Sequence, residues 1–228
     1  MELHVDALQG NKGLIRDYVH QTLKKNIMEL RLEPGRFISE KDVIEMLQVS
    51  RTPIREAFVR LSQEELIETV PQKGSFISLI DMQHVEESRF IRETLETAVV
   101  REACMVLSAE QVMHLQNLLN LQQLCASEQN YERLFELDEE FHKAIITGCG
   151  KIRTWSMIQQ MSTHYNRIRF LRLASNTDWE SILNQHQGIV QAIRNNNGDE
   201  AEGIMKEHLS MLDINQTQLK EKYPTYFK

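Results

Sequence analysis

"VSRTPIREAFVRLSQEELIETVPQKGSFIS", residues 49–78, changes its period halfway along. Up to Gln63 the apolar residues Ile54, Ala57, Phe58 and Leu61 fall at i, i+3, i+4 and i+7, the spacing of one helix face. After Glu65 come two short β-like runs, LIETV and SFISL, joined by the turn chemistry of PQKG, so a hairpin is expected. Pro53 lies in the first turn of the helix, where a missing N–H costs little, and Ser50 or Thr52 is the expected cap. Upstream, Ser39 is placed to cap a helix that buries Val43, Ile44 and Leu47, with Asp42 three residues after the cap. Before that, Ile15, Val19, Leu23, Ile27 and Leu30 recur with helical period between Gly13 and Leu32, and Pro34-Gly35 is the expected stop. Three helices followed by a two-stranded wing predict a winged helix-turn-helix over residues 1–79.

The last of these helices carries Arg51, Arg55 and Arg60 in a chain of formal net charge -7. The acidity is uneven. Residues 1–79 hold 11 Lys and Arg against 12 Asp and Glu, whereas residues 80–228 hold 15 against 21. A phosphate-bearing partner would therefore meet a local patch in the first third of the chain. Arg51 and Arg55 lie one turn apart beside the apolar arc, and Thr52 projects away from it. Helix N-termini favour phosphate, and arginine is shaped for guanine edges and phosphates. Lys73-Gly74 at the wing tip would reach an adjacent groove or the backbone. A solvated face with Arg55 and Arg60 paired to Glu56 or Glu64 is the competing reading of this helix taken alone.

The stretch RLEPGRFISEKDVIEMLQVSRTPIREAFVRLSQEELIETVPQKGSFIS resembles the DNA-binding domain of the GntR superfamily of bacterial transcription regulators, over about residues 13–79. By that resemblance Lys41, Arg51 and Arg55 would contact DNA, with Thr52 beside them and Gly74 at the wing tip. Lys41 stands where arginine is common and would bind phosphate as a point charge. Gln48 stands where the family usually has glycine, so a non-glycine residue must take the turn.

Residues 80–84 read as a linker. From Val85 to about Lys222 nearly everything has helical period, interrupted at Leu107-Ser108, Ser127–Asn130, Gly148-Cys149-Gly150, Asn176–Asp178 and Asn195–Asp199. About six helices are expected, in an all-helical antiparallel bundle spanning residues 85–228. The fold class is thus mainly α. The longest apolar runs are far short of the roughly 20 residues that span a bilayer, and the start of the chain has no export signal. Cys104, Cys125 and Cys149 form no CxxC pair, which fits a cytoplasmic protein without a disulfide framework.

Within this bundle, polar residues stand where apolar ones belong. Leu134, Phe135, Phe141 and Ile145 form a stripe that includes Asp138 and His142, one turn apart. Ile182, Leu183, Ile189, Val190 and Ile193 centre on His186, and Ala201, Ile204, Met205, Met211 and Leu212 centre on His208. One inward histidine is ordinarily a hydrogen-bonded core residue. Four inward ionisable groups would cost several kcal/mol together if unpaired. A single divalent ion, with Zn²⁺, Ni²⁺ or Mn²⁺ suited to three imidazoles and a carboxylate, satisfies all four. It keeps positions open for water or an anion. Arg92 lies in the inward arc of its helix, with Glu96 at the edge. It would either clamp a carboxylate bidentately or pair with Glu96. Arg169 and Arg172 are weaker candidates, because the phase of their helix is ambiguous.

Residues 84–220 resemble the helical FCD ligand domain of the FadR-type branch of that superfamily, through LDEEFHKAI and the positions of His186 and His208. The resemblance implies a homodimer in which a metal and an arginine hold a small organic acid. The expected function is a transcription regulator, a repressor or an activator, whose affinity for a palindromic operator is set by a small carboxylate. Two alternatives compete. A metalloenzyme could use the Asp/His₃ site on a small acid, although no general base stands beside it. A DNA-binding architectural protein could hold a purely structural metal.

Overall fold

Apolar periodicity in the first third becomes three helices, α1 (Lys12–Met28), α2 (Glu40–Leu47) and α3 (Arg51–Gln63). The computed structural model describes residues 12–175 and 179–228, without the side chains of residues 12–14 and 211–216. The break expected at Asn176–Asp178 and the side chains of Met211 and Leu212 lie outside that description. Val19, Leu23 and Ile27 of α1, Val43 and Leu47 of α2, and Ile54, Ala57, Phe58 and Leu61 of α3 form one buried cluster. Helix α1 stops earlier than Pro34-Gly35 implied, because Leu30 turns left-handed at φ 57. Ser39 caps α2 by accepting from Asp42 N–H. Ser50 precedes α3 without a side-chain cap bond. Gln48 takes the turn between α2 and α3 at φ 53, ψ 38, the conformation that glycine adopts at no steric cost, and its amide donates to Glu45 O at 2.6 Å.

The wing is β2 (Ile67–Val70) and β3 (Gly74–Ile77), antiparallel, with Val70 opposite Gly74. A two-residue strand, β1 (Phe37–Ile38), adds to the other edge of β3 and makes the sheet three-stranded. Two residues are too few to show alternation, so the sequence did not announce it. Gly74 has φ 108, and a Cβ there would stand 2.6 Å from the Phe37 ring.

Helix α4 (Met82–Val106) starts three residues before Val85, capped by Asp81, which accepts from Gln83 N–H at 2.9 Å. It is followed by α5 (Ala109–Ser127), α6 (Tyr131–Gly148), α7 (Ile152–Met161), α8 (Thr163–Ala174), α9 (Trp179–Arg194) and α10 (Gly198–Lys222). Among the described residues that is one helix more than expected. The added break falls at Ser162, where no proline or glycine marks it. Helix α8 is buried on every side from Thr163 to Leu173. The buried faces of α4, α5, α6, α9 and α10 share one apolar core.

A third cluster joins the two halves. Ile80 packs with Val85, Tyr165, Ile168, Leu171 and Leu219. Ile80 also bridges the end of the described chain, donating to Tyr226 O at 2.8 Å and accepting from Lys228 N–H at 3.0 Å. From α8, Arg167 donates to Ser78 O at 2.7 Å.

Candidate functional site

Arg51 and Arg55 are 63% and 62% exposed on α3. Their Nε atoms lie 3.9 and 3.2 Å from Glu40 Oε2 at the start of α2. That carboxylate holds two like charges side by side and leaves their outer nitrogens to solvent. Lys41 is exposed on the same end of α2, and Thr52 and Lys73 are also exposed, with Gly74 half-buried. Arg60 belongs to another face, where it donates to Asp17 Oδ1 at 2.9 Å. Glu56 pairs with Arg16, and Glu64 with His20 and Lys24, so neither carboxylate captures Arg55 or Arg60.

In the bundle, α6 supplies Asp138 and His142, α9 supplies His186 and α10 supplies His208, with one ligating atom from each within 4.8 Å of the others. Each imidazole is fixed from behind. His142 Nδ1 is 2.5 Å from Glu96 Oε2, His186 Nδ1 is 2.7 Å from Gln122 Oε1, and His208 Nδ1 is 3.1 Å from Gln185 Oε1. Gln122 spends its own N–H on Leu137 O at 3.0 Å, which leaves its oxygen for His186. Each Nδ1 thus faces an oxygen acceptor and carries the proton. The three Nε2 lone pairs are left pointing inward.

They converge without ordinary partners. His142 Nε2 and His208 Nε2 are 3.2 Å apart. His186 Nε2 is buried with no hydrogen-bond partner among the described residues and lies 3.7 Å from Asp138 Oδ1. Burial pushes the His186 imidazole down to about 3, and burial beside His186 and His142 pushes His208 well below its usual value. Nε2 lone pairs in contact repel one another, and a bound cation would turn that repulsion into ligation. Burial opposes charge on Asp138, but the Arg169 guanidinium beside it holds it well below the usual carboxylate range. Burial would likewise raise Glu96, yet Arg92 and His142 hold it down to about 2. The donor set therefore fits a divalent ion: one carboxylate, three imidazoles presenting Nε2 and an anchored outer layer.

A second grouping, Glu65, His84 and His164, fails the same test. His164 Nδ1 accepts the Asp81 backbone N–H at 3.1 Å, so its proton sits on Nε2, the atom turned toward Glu65 at 3.8 Å. This is hydrogen-bond chemistry between the two halves of the chain rather than a ligand set.

Beside the Asp/His₃ group lies a cavity of about 30 Å³ lined by Arg92, Asp138, Tyr165, Arg169, Arg172 and His208. That is room for one or two waters. The pairing of Arg92 with Glu96 is present. Its Nε donates to Glu96 Oε1 at 2.5 Å, while its buried Nη2 has no hydrogen-bond partner among the described residues. Tyr165, Arg169 and Arg172 occupy one face of α8 at i, i+4 and i+7. Arg169 bonds Asp138, Glu139 and Asn166. Sequence reasoning left Arg169 ambiguous and passed over Tyr165, because a helix buried all round has no phase to read. Gln122 was findable: it interrupts the stripe of Leu115, Leu118, Leu119 and Cys125 as the histidines interrupt theirs.

Comparison with known proteins gives a consistent result. Residues 15–77 match "Bacterial regulatory proteins, gntR family" and residues 87–211 match "FCD domain". The HTH-type transcriptional repressor RspR of Escherichia coli K12 is 29% identical over 213 residues, 93% of this chain and 93% of that protein. The Nta operon transcriptional regulator of Aminobacter aminovorans is 30% identical over 179 residues, 77% of this chain and 82% of that protein. The galactonate operon transcriptional repressor of E. coli K12 is 26% identical over 230 residues, covering 90% and 96%. Among solved structures, E. coli McbR/YncC superposes with a TM-score of 0.76 at 21% identity, covering 92% of this chain and 98% of that one.

Proposed function

Because the chain belongs to the gntR family of bacterial regulatory proteins and carries an FCD domain, and so is a transcriptional regulator rather than an enzyme, we propose that a metal-held small acid controls its grip on DNA. Residues 1–79 bind the operator, residues 80–84 connect, and residues 85–228 sense. Lys41, Arg51, Thr52, Arg55, Lys73 and Gly74 form the DNA-contacting surface. Asp138, His142, His186 and His208 hold a divalent ion, with Zn²⁺, Ni²⁺ and Mn²⁺ the suitable choices. The ion supplies open positions for the oxygens of an anion. Arg92, which lines the cavity and has a buried Nη2 without a hydrogen-bond partner among the described residues, receives the carboxylate. Two copies of the chain pair, so that two α3 helices meet the halves of a palindromic operator. Repression is the sign favoured by two of the relatives' names.

The observation that carries the sensing half is the set of three imidazoles anchored through Nδ1 with Nε2 atoms facing one another. The coupling follows from the size of the cavity, which an acid must enlarge to enter. The walls that move are α8 and its neighbours, and α8 also bonds Ser78 and Asp81 at the exit of the wing. An effector shifts the equilibrium only by its difference in affinity for the two arrangements.

The test uses a duplex selected from a random pool by the wild-type protein. Its affinity is measured with and without chelator and with a panel of small hydroxy, sugar and dicarboxylic acids. Operator affinity that responds to an acid only when metal is present, and loses that response in Arg92→Ala, is the expected result. A response to no acid in the panel, with the metal retained, would leave the architectural reading instead.

A further inference from the structure

Asp138 divides its two oxygens. Oδ1 faces His186 Nε2, while Oδ2 accepts from Arg169 Nη2. Arg169 is held from several directions. Its Nη1 donates to Glu139 Oε1 and, at 2.9 Å, to Asn166 Oδ1, and the rings of Phe135 and Tyr165 lie 5.1 and 5.6 Å from its guanidinium carbon. A fixed positive charge therefore stands one hydrogen bond from a carboxylate of the metal set.

We propose that Arg169 is the internal counter-cation of the site, neutralising Asp138 in the metal-free protein and weakening its hold on divalent ions. This rests on the metal reading above. Its consequence is that uptake of the ion is conditional. The carboxylates Glu96, Asp138 and Glu139 already face the guanidiniums of Arg92 and Arg169. A dication added to that balance leaves positive charge in surplus, which an acid offsets. At an effective dielectric near 20, like charges separated by one carboxylate reduce affinity by about tenfold or more. If Arg169 served only to orient Asp138, its loss would weaken metal binding; as a counter-cation, its loss strengthens it. The two roles predict opposite signs.

The experiment measures Ni²⁺ affinity of the full chain, stripped with chelator, by competition with a metal indicator. It compares wild type with Arg169→Gln, Asn166→Asp and His186→Ala. Arg169→Gln removes the charge. Asn166→Asp keeps the arginine and places a carboxylate at its 2.9 Å partner, which offsets its field without emptying the core. The expected result is Ni²⁺ binding about tenfold or more tighter in both variants. Should Arg169→Gln fold poorly without metal, the Asn166→Asp comparison alone decides. Affinity unchanged or weaker in Asn166→Asp overturns the proposal. If wild type and His186→Ala bind Ni²⁺ alike, the metal reading itself fails and takes this inference with it.

Discussion

Glu96 Oε2 lies 2.5 Å from His142 Nδ1, and both side chains are essentially inaccessible, at 1% and 0% exposure. An anionic acceptor behind an imidazole fixes its tautomer and raises its basicity as a ligand. Glu96→Gln keeps the size and removes the charge. Metal affinity should fall by about 10–100-fold, the range typical of lost outer partners. Chelator competition on the purified variant checks this, with elemental analysis confirming a single site.

His186 stacks on Phe141 with ring centroids 4.3 Å apart, and its Nε2 has no hydrogen-bond partner among the described residues. His186→Phe keeps the stack and removes that orphaned nitrogen. It also leaves the buried Gln122 Oε1 without its partner, so the metal-free variant should lose about 1–3 kcal/mol of stability, while added Ni²⁺ or Zn²⁺ no longer stabilises it. A variant that keeps full metal stoichiometry would remove His186 from the ligand set.

Arg51 and Arg55 share one carboxylate, Glu40, before any DNA is bound. Arg51→Ala should cost about 1–3 kcal/mol in binding the selected duplex if it reads a base, with random duplex much less affected. Lys41→Ala should weaken both duplexes alike and make the salt dependence shallower by about one unit of slope. Titrations at several salt concentrations separate these two behaviours.

Burial pushes the His164 imidazole down to about 4, with Arg167 and His84 adding to the effect. The unfolded chain takes up this proton near pH 6.5, earlier than the folded protein as pH falls. The stability it confers is complete above about pH 6.5 and is lost as pH drops toward 4, by up to about 3 kcal/mol. His164→Asn, which can still accept from the Asp81 N–H, should flatten the dependence between pH 7.5 and 5. Denaturant unfolding at the two pH values provides the measurement.

The parts legible from sequence were those where one face of an element is wet. Val43, Leu47, Ile54, Ala57, Phe58 and Leu61 stood out against polar neighbours, and all are buried together. Asp138, His142, His186 and His208 were legible for the converse reason, as polar residues in apolar arcs. Strand β1 was too short to show a period. The break at Ser162 lacks any proline or glycine to announce it, although its backbone at φ -94, ψ 15 leaves the helical region. Arg169 stayed ambiguous because every residue around α8 from Thr163 to Leu173 is buried, so no exposed side orients the wheel. Which histidine each of Glu96, Gln122 and Gln185 meets is a long-range outcome of packing; spacing along one helix shows at most that Gln122 interrupts an apolar stripe.

The pairing of Ile80 with Tyr226, Phe227 and Lys228 bears on how this molecule can be handled. Any polypeptide fused behind Lys228 would emerge against the joint between the two halves of the chain. An affinity handle or fluorescent partner placed there would load that joint directly. Reporters of DNA binding are better attached elsewhere on the surface, away from the contacts of Ile80 with Tyr226 and Lys228.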